Sequence, residues 1–521
     1  MPIREIRGKI IMKTLRLILG DQLNSQHSWF DKNDENTIYL MAEMRQETDY
    51  VKHHIQKVVA FFLSMRNFAN DLKSKNHQVD YYYIHNIENP QDLEKLIIQN
   101  ISKHQIEKFE YQLPDEYRLD EQLKNICNSL KIPNEAVDSE HFYTTRYELA
   151  TFFEGKKLLL MENFYRMMRK KHEVMMVGST PEGNQWNFDH DNRKKYTGQV
   201  PIPKEKIFDI NIQEVLLEIE KAGIKTFGNI DENKFVWPTS RIECLEVLDY
   251  FCNNLLIHFG DYEDAMHTDE KFLFHSRLSF AMNSKMLSPK EVVDAVVNHY
   301  HKNDDGISIS QVEGFVRQIL GWREYIRGIY WKEMPDYAKK NHLQNTNKLP
   351  DFFWTGKTKM NCLEKAINQS LDDAYAHHIQ RLMVIGNFTL LTQIHPDEVD
   401  AWYLGVYIDA IEWVEMPNTR GMSQYADGGI IATKPYVSSG SYINKMSNNC
   451  AKCHYNVKEK FGEKACPFNT LYWNFLDEKK EYFKSNQRMG MMMNMLGKMN
   501  PEELYKIKVK ANEIIDNLDD Y

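Results

Sequence analysis

Long apolar runs are missing from this chain. No stretch of about 18 uncharged apolar residues occurs, so a membrane-spanning helix of ordinary length is not expected. The N-terminal segment MPIREIRGKIIMKTLRLILGDQL is basic, but Lys13 and Arg16 break its apolar run. No small-residue cleavage site follows, so a secretory signal is not expected either. Cysteine is scarce, at seven in 521 residues. Without secretion this points to a reducing, cytoplasmic setting, where structural disulfides are rare. Positive charge is in deficit too: the net charge of −9 excludes a globally basic nucleic-acid binder, though not a local basic groove. There is no G-x-G-x-x-G, no second C-x-x-C, no internal repeat and no low-complexity tract. No dinucleotide fingerprint can therefore be claimed, and a paired-hairpin zinc ribbon is disfavoured.

What is present is length enough for several domains and an aromatic content of 12%. The first part alternates strand-like and helix-like pieces: TLRLILG (14–20), NTIYLMA (36–42), a long helical run (50–75), QVDYYYIH (78–85), a helical run (90–105) and KFEYQL (108–113). This predicts a parallel α/β sheet, Rossmann-like, wrapped by helices over 12–145. LILGDQLN ends its strand in a Gly-Asp turn, where open α/β sheets bind ligands. Residues 146–238 read as an inter-domain linker, rich in Gly, Pro, Asn and charge around 175–204. From 239 to 521 the periodicity is helical almost throughout, which predicts a large all-α domain.

Several clusters could carry chemistry. In NFYRMMRKKHEV, Arg166, Arg169, Lys170 and Lys171 form a basic stretch suited to phosphates. GWREYIRGIYW sets Arg323 and Arg327 one helical turn apart, between Trp322 and Trp331. YAHHIQRLMVIGNF predicts His377 and Arg381 on one helix face, with His378 beside them as a proton donor for a substrate. Asp409 and Glu415 fall in what reads as an apolar helix, so their burial demands partners, and Arg381 is a candidate.

The cysteines divide into two groups. Cys127, Cys244 and Cys252 sit at apolar positions and read as core. Cys450, Cys453 and His454 spell the C-x-x-C-H of a haem attachment site, but that reading needs export. Cys362 and Cys466 supply two further thiolates, and four could hold either zinc or a four-iron cluster. Cys466-Pro467 echoes the Cys-Pro of ferredoxin motifs.

LRLILGDQLN, WTGKTKMNC, YAHHIQRLM, WVEMPN, GMSQYADGG, KPYVSSGSYINKMS and C-x-x-C-x12-C-P together resemble the photolyase/cryptochrome family over nearly the whole chain. The likeness is to its iron–sulfur bacterial branch, the prokaryotic (6-4) photolyases. That resemblance implies an antenna-binding domain over 12–145, a DNA-contacting linker over 146–238 and a helical FAD- and iron–sulfur-binding domain over 239–521. It implies that Ser276, Leu278 and Ser279 face the FAD pyrophosphate, with Arg323, Arg381, Asp409 and Glu415 around the cofactor. His378, with His377, would be catalytic. Gln318, Leu382, Met422 and Tyr436 would line the lesion pocket, and Trp354, Trp402 and Tyr403 would carry electrons from the surface. Cys362, Cys450, Cys453 and Cys466 would bind a [4Fe–4S] cluster. Glu47 would lie by a 6,7-dimethyl-8-ribityllumazine antenna. Arg193 and Lys194 would grip DNA, with Asp189 and Asp191 as candidates for a Mg2+ ion.

The implied activity is that of a lyase: light-driven repair of (6-4) photoproducts in UV-damaged DNA by a cytoplasmic monomer. The alternatives are a blue-light photoreceptor of the same fold, and a light-independent nucleic-acid binder with a structural cluster, as in the primase large subunit.

Overall fold

The computed structural model describes residues 12–302 and 306–521, and the side chain of Asp191 is not among the described groups. The first eleven residues of the basic N-terminal segment lie outside the described residues.

Five short strands form one parallel sheet: Thr14–Leu17 (β1), Thr37–Ala42 (β2), Gln78–Tyr82 (β3), Lys108–Gln112 (β4) and Asn134–Val137 (β5). Their order is β3-β2-β1-β4-β5, with Leu15 opposite both Ile38 and Phe109. One face buries Leu15, Leu17, Leu40 and Phe109 against helices Leu93–His104 and Tyr117–Ser129. On the other, Tyr39 and Met41 join helix Ile55–Ser74 in a core that continues into the helical half. The α/β expectation therefore holds, as does the all-helical remainder. The order reverses between β1 and β4, which leaves a crevice at their C-terminal ends. Gly20 and Asp21 follow β1 there, and Asp115 and Glu116 follow β4.

The helical half closes on this crevice through buried charge. Lys285 reaches Asp21 at 2.8 Å and Asp115 at 2.7 Å. Lys57, from the long helix, donates to the carbonyls of Leu404 and Ala410, each at 2.7 Å. A short parallel pair, His53–His54 with Thr226–Phe227, adds a second tie.

Two expected helices are broken, and both breaks matter. The run over 364–391 stops after Asp373, because Ala374 adopts a left-handed conformation at φ 51°, ψ 27°. His377 therefore lies in a turn and does not share a helix face with Arg381, which belongs to the next segment. The run over 398–414 stops at Tyr407, whose extended backbone (φ −87°, ψ 132°) ends helix Pro396–Val406. Asp409 thus sits in a tight turn before helix Glu412–Met416, not inside a helix. Four π-helical turns interrupt the other helices, at Phe251–Leu255, Arg317–Arg323, Gln380–Gly386 and Pro417–Ser423.

The segment 146–238 holds more structure than a linker composition suggests. Helix Met161–His172 and a hairpin of Met176–Val177 with Thr180–Pro181 occupy it. Within the basic stretch, Arg169 is fully buried, where it donates to the carbonyls of Val174, Met175 and Trp186. It cannot contact phosphate, and it serves to fold this segment. Arg166 and Lys171 stay at the surface, paired with Glu162 and Glu148.

Candidate functional site

Several of the expected residues are joined by direct contacts in the helical half. Arg381 Nη1 lies 2.9 Å from Asp409 Oδ1, and Ser279 Oγ donates to Asp409 Oδ2 at 2.6 Å. Asn283 holds the Asp409 carbonyl at 2.7 Å, while the Arg381 guanidinium lies 3.8 Å over the ring of Tyr407. Burial pushes the Asp409 carboxyl up, but Arg381 and Ser279 outweigh it and hold the group below its ordinary value. The result is a charged pair, not a neutral acid. Arg323 reaches this pair only indirectly: it bonds Asn283 at 3.1 Å and packs between Phe142 and Trp413.

Removing one partner of such a pair strands a buried charge. Arg381→Leu is expected to destabilise the protein by about 3 kcal/mol, near the low end for buried pairs because a fifth of the arginine side chain is exposed. A lowered urea midpoint would show it; an unchanged midpoint would mean that the pair is dispensable.

The turn Phe274–Leu278 precedes Ser279, with Arg277 at φ 56°. The Leu278 side chain is fully buried, so only its backbone can meet a ligand, whereas Ser276 and Ser279 offer hydroxyls. Arg381 also fixes the histidine turn: its Nε donates to Ala376 O at 2.6 Å and its backbone N–H to His377 O at 3.1 Å. His377 stacks on His275, with ring centroids 4.8 Å apart and planes 13° apart, and His378 meets His275 edge-on at 5.6 Å. His275 had no role assigned from sequence; only its place beside Ser276 could have suggested one. Burial holds His275 neutral, down to about 3, and holds His377 well below its ordinary value. His378 is the exposed member, its side chain 47% accessible, with Nε2 3.4 Å from Asp264 Oδ1.

An acidic wall continues from there. Arg317 joins Asp189 at 3.1 Å and lies 3.9 Å from Glu263. Tyr436 feels the charges of Asp189 and Asp264, which places it near the same wall. Gln318, Arg381 with Leu382, and Met422 each ride on a different π-helical turn, a feature common at functional sites. Gln380–Gly386 and Pro417–Ser423 pack against each other. Glu415 is buried nearby, with neither carboxyl oxygen hydrogen-bonded. Burial, then Asp400, pushes its carboxyl well above the ordinary value.

Glu263 yields a pH prediction. Burial pushes its carboxyl up to about 7, against the pull of His378 and Arg317. Its folded value exceeds its unfolded one, so its stability contribution is full below the unfolded value of 4.5 and is lost as pH rises through about 7. Between roughly pH 5 and pH 8 this group is expected to cost on the order of 3 kcal/mol. Glu263→Gln should flatten that part of the profile; identical pH slopes in urea denaturation would contradict it.

An aromatic series approaches the Arg381–Asp409 pair. Trp354 is 43% exposed, and its neighbour Phe353 meets the buried Trp402 at 5.1 Å. Trp402 contacts Tyr403 at 5.5 Å and Tyr407 at 5.9 Å, and the Tyr403 hydroxyl donates to Arg381 O at 2.6 Å. The series thus runs from solvent to the Arg381–Asp409 pair.

Two pockets lie elsewhere. Cys362, Cys450, Cys453 and Cys466 line one, together with Gly440, Ile443 and Phe468. Burial pushes the thiol of Cys450 up to about 11 and that of Cys466 up to about 12, so an unliganded site would hold neutral thiols. Among the described residues the thiols do not form a group tight enough to share one ion. Cys127, Cys244 and Cys252 are buried elsewhere, as expected.

The other pocket lies in the sheet crevice and is lined by Gly20, Asp21, Glu47, Lys57, Tyr50 and Glu116 among others. Glu47 is held by Arg118 at 2.7 Å. Burial pushes Lys57 down to about 8 against the opposing charge of Glu116. Arg193 and Lys194 are exposed and pair with Asp189 and Asp261. The Asp189 carboxylate is thus already held by Arg193 and Arg317.

With this geometry in place, the comparisons with known proteins are consistent. A family model described as deoxyribodipyrimidine photo-lyase-related protein matches residues 16–235. Over 515 residues the chain is 40% identical to a protein of Agrobacterium fabrum named (6-4) photolyase, covering 98% of this chain and all of the relative. Over 109 residues it is 36% identical to an uncharacterised mimivirus protein, R853, covering 21% of this chain and 82% of that one. Among solved structures it resembles a bacterial class III photolyase from Agrobacterium tumefaciens, with a TM-score of 0.58 at 13% identity over 99% of both chains. A cryptochrome from Synechocystis gives a TM-score of 0.55, also at 13% identity, over 90% of this chain and 93% of that one. At such identity the structural matches speak to fold alone.

Proposed function

The chain belongs to the photolyase/cryptochrome family, and on that premise we propose that it uses light to repair (6-4) pyrimidine–pyrimidone photoproducts in DNA. The observation that carries this reading is the histidine turn tied directly to the Arg381–Asp409 pair: a proton donor stands beside the place prepared for a charged, flat cofactor.

Ser276, Ser279 and the Leu278 backbone would hold the FAD pyrophosphate. Arg381, Asp409 and the buried Glu415 would border its ring, with Arg323 bracing them through Asn283. The buried pair, the unpartnered carboxyl of Glu415 and the orphan imidazole nitrogens fit such a polar, aromatic guest. A bound reduced FAD would supply the light-excited electron; that chemistry belongs to the cofactor.

The protein's own work is to place and protonate. Photolyases are among the enzymes for which extrusion of the target from the duplex is the general rule. Exposed Arg193, Lys194 and Arg166 would exchange their surface carboxylates for backbone phosphates. Gln318, Leu382, Met422 and Tyr436 would receive the lesion. His378 Nε2 would give its proton to the hydroxyl or amino group that returns to its original base, which makes that group easier to release. His377 and His275, buried and neutral, would set the position of His378 and keep water out.

Trp354, Trp402 and Tyr403 would reduce the flavin from the surface. The four cysteines would hold a [4Fe–4S] cluster that fastens the C-terminal segment to helix Asn361–Asp373. The crevice cavity would hold the lumazine antenna, and a Mg2+ ion would sit beside the phosphates near Asp189.

Selectivity tests the reading. Illuminated reduced protein is offered one duplex with a (6-4) photoproduct and one with a cyclobutane dimer. Restoration of the first and not the second is expected, because only the first needs a proton moved with its migrating group. Equal handling of both would sink the histidine mechanism, and flavin photoreduction with no repair of either would favour a photoreceptor.

A further inference from the structure

The histidine turn carries more than a proton donor. One ring nitrogen each from His275, His377 and His378 lies within 4.8 Å of the other two, so the three can face one point. His275 and His377 are 8% and 2% exposed, and His275 Nε2 and His377 Nδ1 have no hydrogen-bond partner. Two buried, unpartnered imidazole nitrogens beside a third, exposed one make a nitrogen donor set that is open to a cation while no flavin atom takes it up.

We propose that His275, His377 and His378 form a binding site for a borderline divalent transition-metal ion such as Zn2+, and that its occupation silences the enzyme by taking up the His378 imidazole. Three imidazoles with an open fourth position are an ordinary zinc donor set. Tetrahedral Zn–N bonds of about 2.0–2.1 Å put ligand atoms roughly 3.4 Å apart, so closing on an ion asks for side-chain shifts of about 1 Å. His378 is half exposed and can supply most of that movement. Asp264, already 3.4 Å from His378 Nε2, stands ready as a fourth ligand or as a carboxylate orienting the ring. Hard ions such as Mg2+ prefer all-oxygen sites and would not compete. A nitrogen committed to zinc carries no proton to give, so the ion and the repair step exclude each other. The inhibitory half of this proposal rests on the repair reading; the binding half does not.

Zinc titration of the full-length, flavin-loaded protein against a chromophoric chelator, in the dark and without DNA, tests the binding half. Wild type is expected to take up one ion at least about 100-fold more tightly than His275→Ala or His378→Ala, since each variant lacks one of three ligands. Unchanged flavin and iron contents would show that the variants are folded and that zinc has not entered the cysteine cavity. Should His275→Ala fail to fold, the exposed His378→Ala decides the question alone. Equal zinc affinity in wild type and His378→Ala would overturn the site. In the repair assay, stoichiometric Zn2+ should stop wild type, a chelator should restore it, and the same concentration of Mg2+ should not inhibit. Full repair with zinc bound would overturn the inhibitory half. A protein that repairs nothing even without zinc would instead refute the repair reading, leaving the titration to judge the site.

Discussion

Replacing His378 by alanine is expected to slow repair by about 10²–10⁴-fold, the range that general acid catalysis contributes, while flavin content stays that of the wild type. The expectation follows from the contrast among three imidazoles. His275 and His377 are disfavoured as imidazolium by burial, so neither is well placed to act as a general acid. His378 is the exposed one, set against the Asp264 carboxylate. It touches neither Asp409 nor Ser279, so its loss leaves the cofactor pair intact. His378→Gln keeps polarity and size without a titratable nitrogen, and should fail to the same degree. His377→Ala should act differently: it removes the stacked neighbour of His275 and costs stability as well as rate. Single-turnover repair with flavin absorbance recorded on the same samples separates these cases. Wild-type repair by His378→Ala would refute the proton-donor role.

The largest structural effect is expected at Cys362. This cysteine is buried at the start of helix Asn361–Asp373, while its three partners lie 88 to 104 positions later, around the segment that leads into helix Pro467–Glu478. A cluster held by all four would clamp two parts of the chain that otherwise meet through apolar packing. For a structural metal site this contribution is of order 10 kcal/mol, comparable to the whole stability of a domain. Cys362→Ser should therefore yield protein without iron that accumulates poorly or loses its C-terminal helices to protease. Wild type should contain about four iron atoms and as many labile sulfides per chain. One tightly bound zinc and no iron would replace this account with a zinc site. His454 is no alternative ligand, because it lies beside Lys464 and not among the cavity residues.

Much of this was legible in the residues, and the exceptions have physical causes. The α/β alternation appeared because buried parallel strands read as short apolar runs such as TIYLMA. The four cysteines could be grouped because scarcity left few other assignments. The two helix breaks could not be seen: Ala374 takes a left-handed conformation without the glycine or asparagine that usually announces one. Tertiary ties impose that turn, among them the bond from Ile408 N to Ala374 O at 3.0 Å. The π-helical turns leave no mark in apolar spacing, yet they carry Gln318, Arg381 and Met422.

Arg169 misled for the opposite reason. A buried arginine satisfied by three carbonyls is spelled like a surface arginine, and only the fold separates them. Lys57 escaped notice in the same way, although it binds the two carbonyls that flank the Asp409 turn and borders the crevice cavity.

The central claim is that a histidine turn fastened to a buried Arg–Asp pair converts light into repair of one lesion. The most direct measurement illuminates reduced, flavin-loaded protein with a duplex bearing a single (6-4) photoproduct, then digests the DNA and quantifies thymidine. Thymidine restored over many turnovers in blue light, and none in the dark, is the predicted result. Flavin-loaded protein that restores none under illumination would contradict the account.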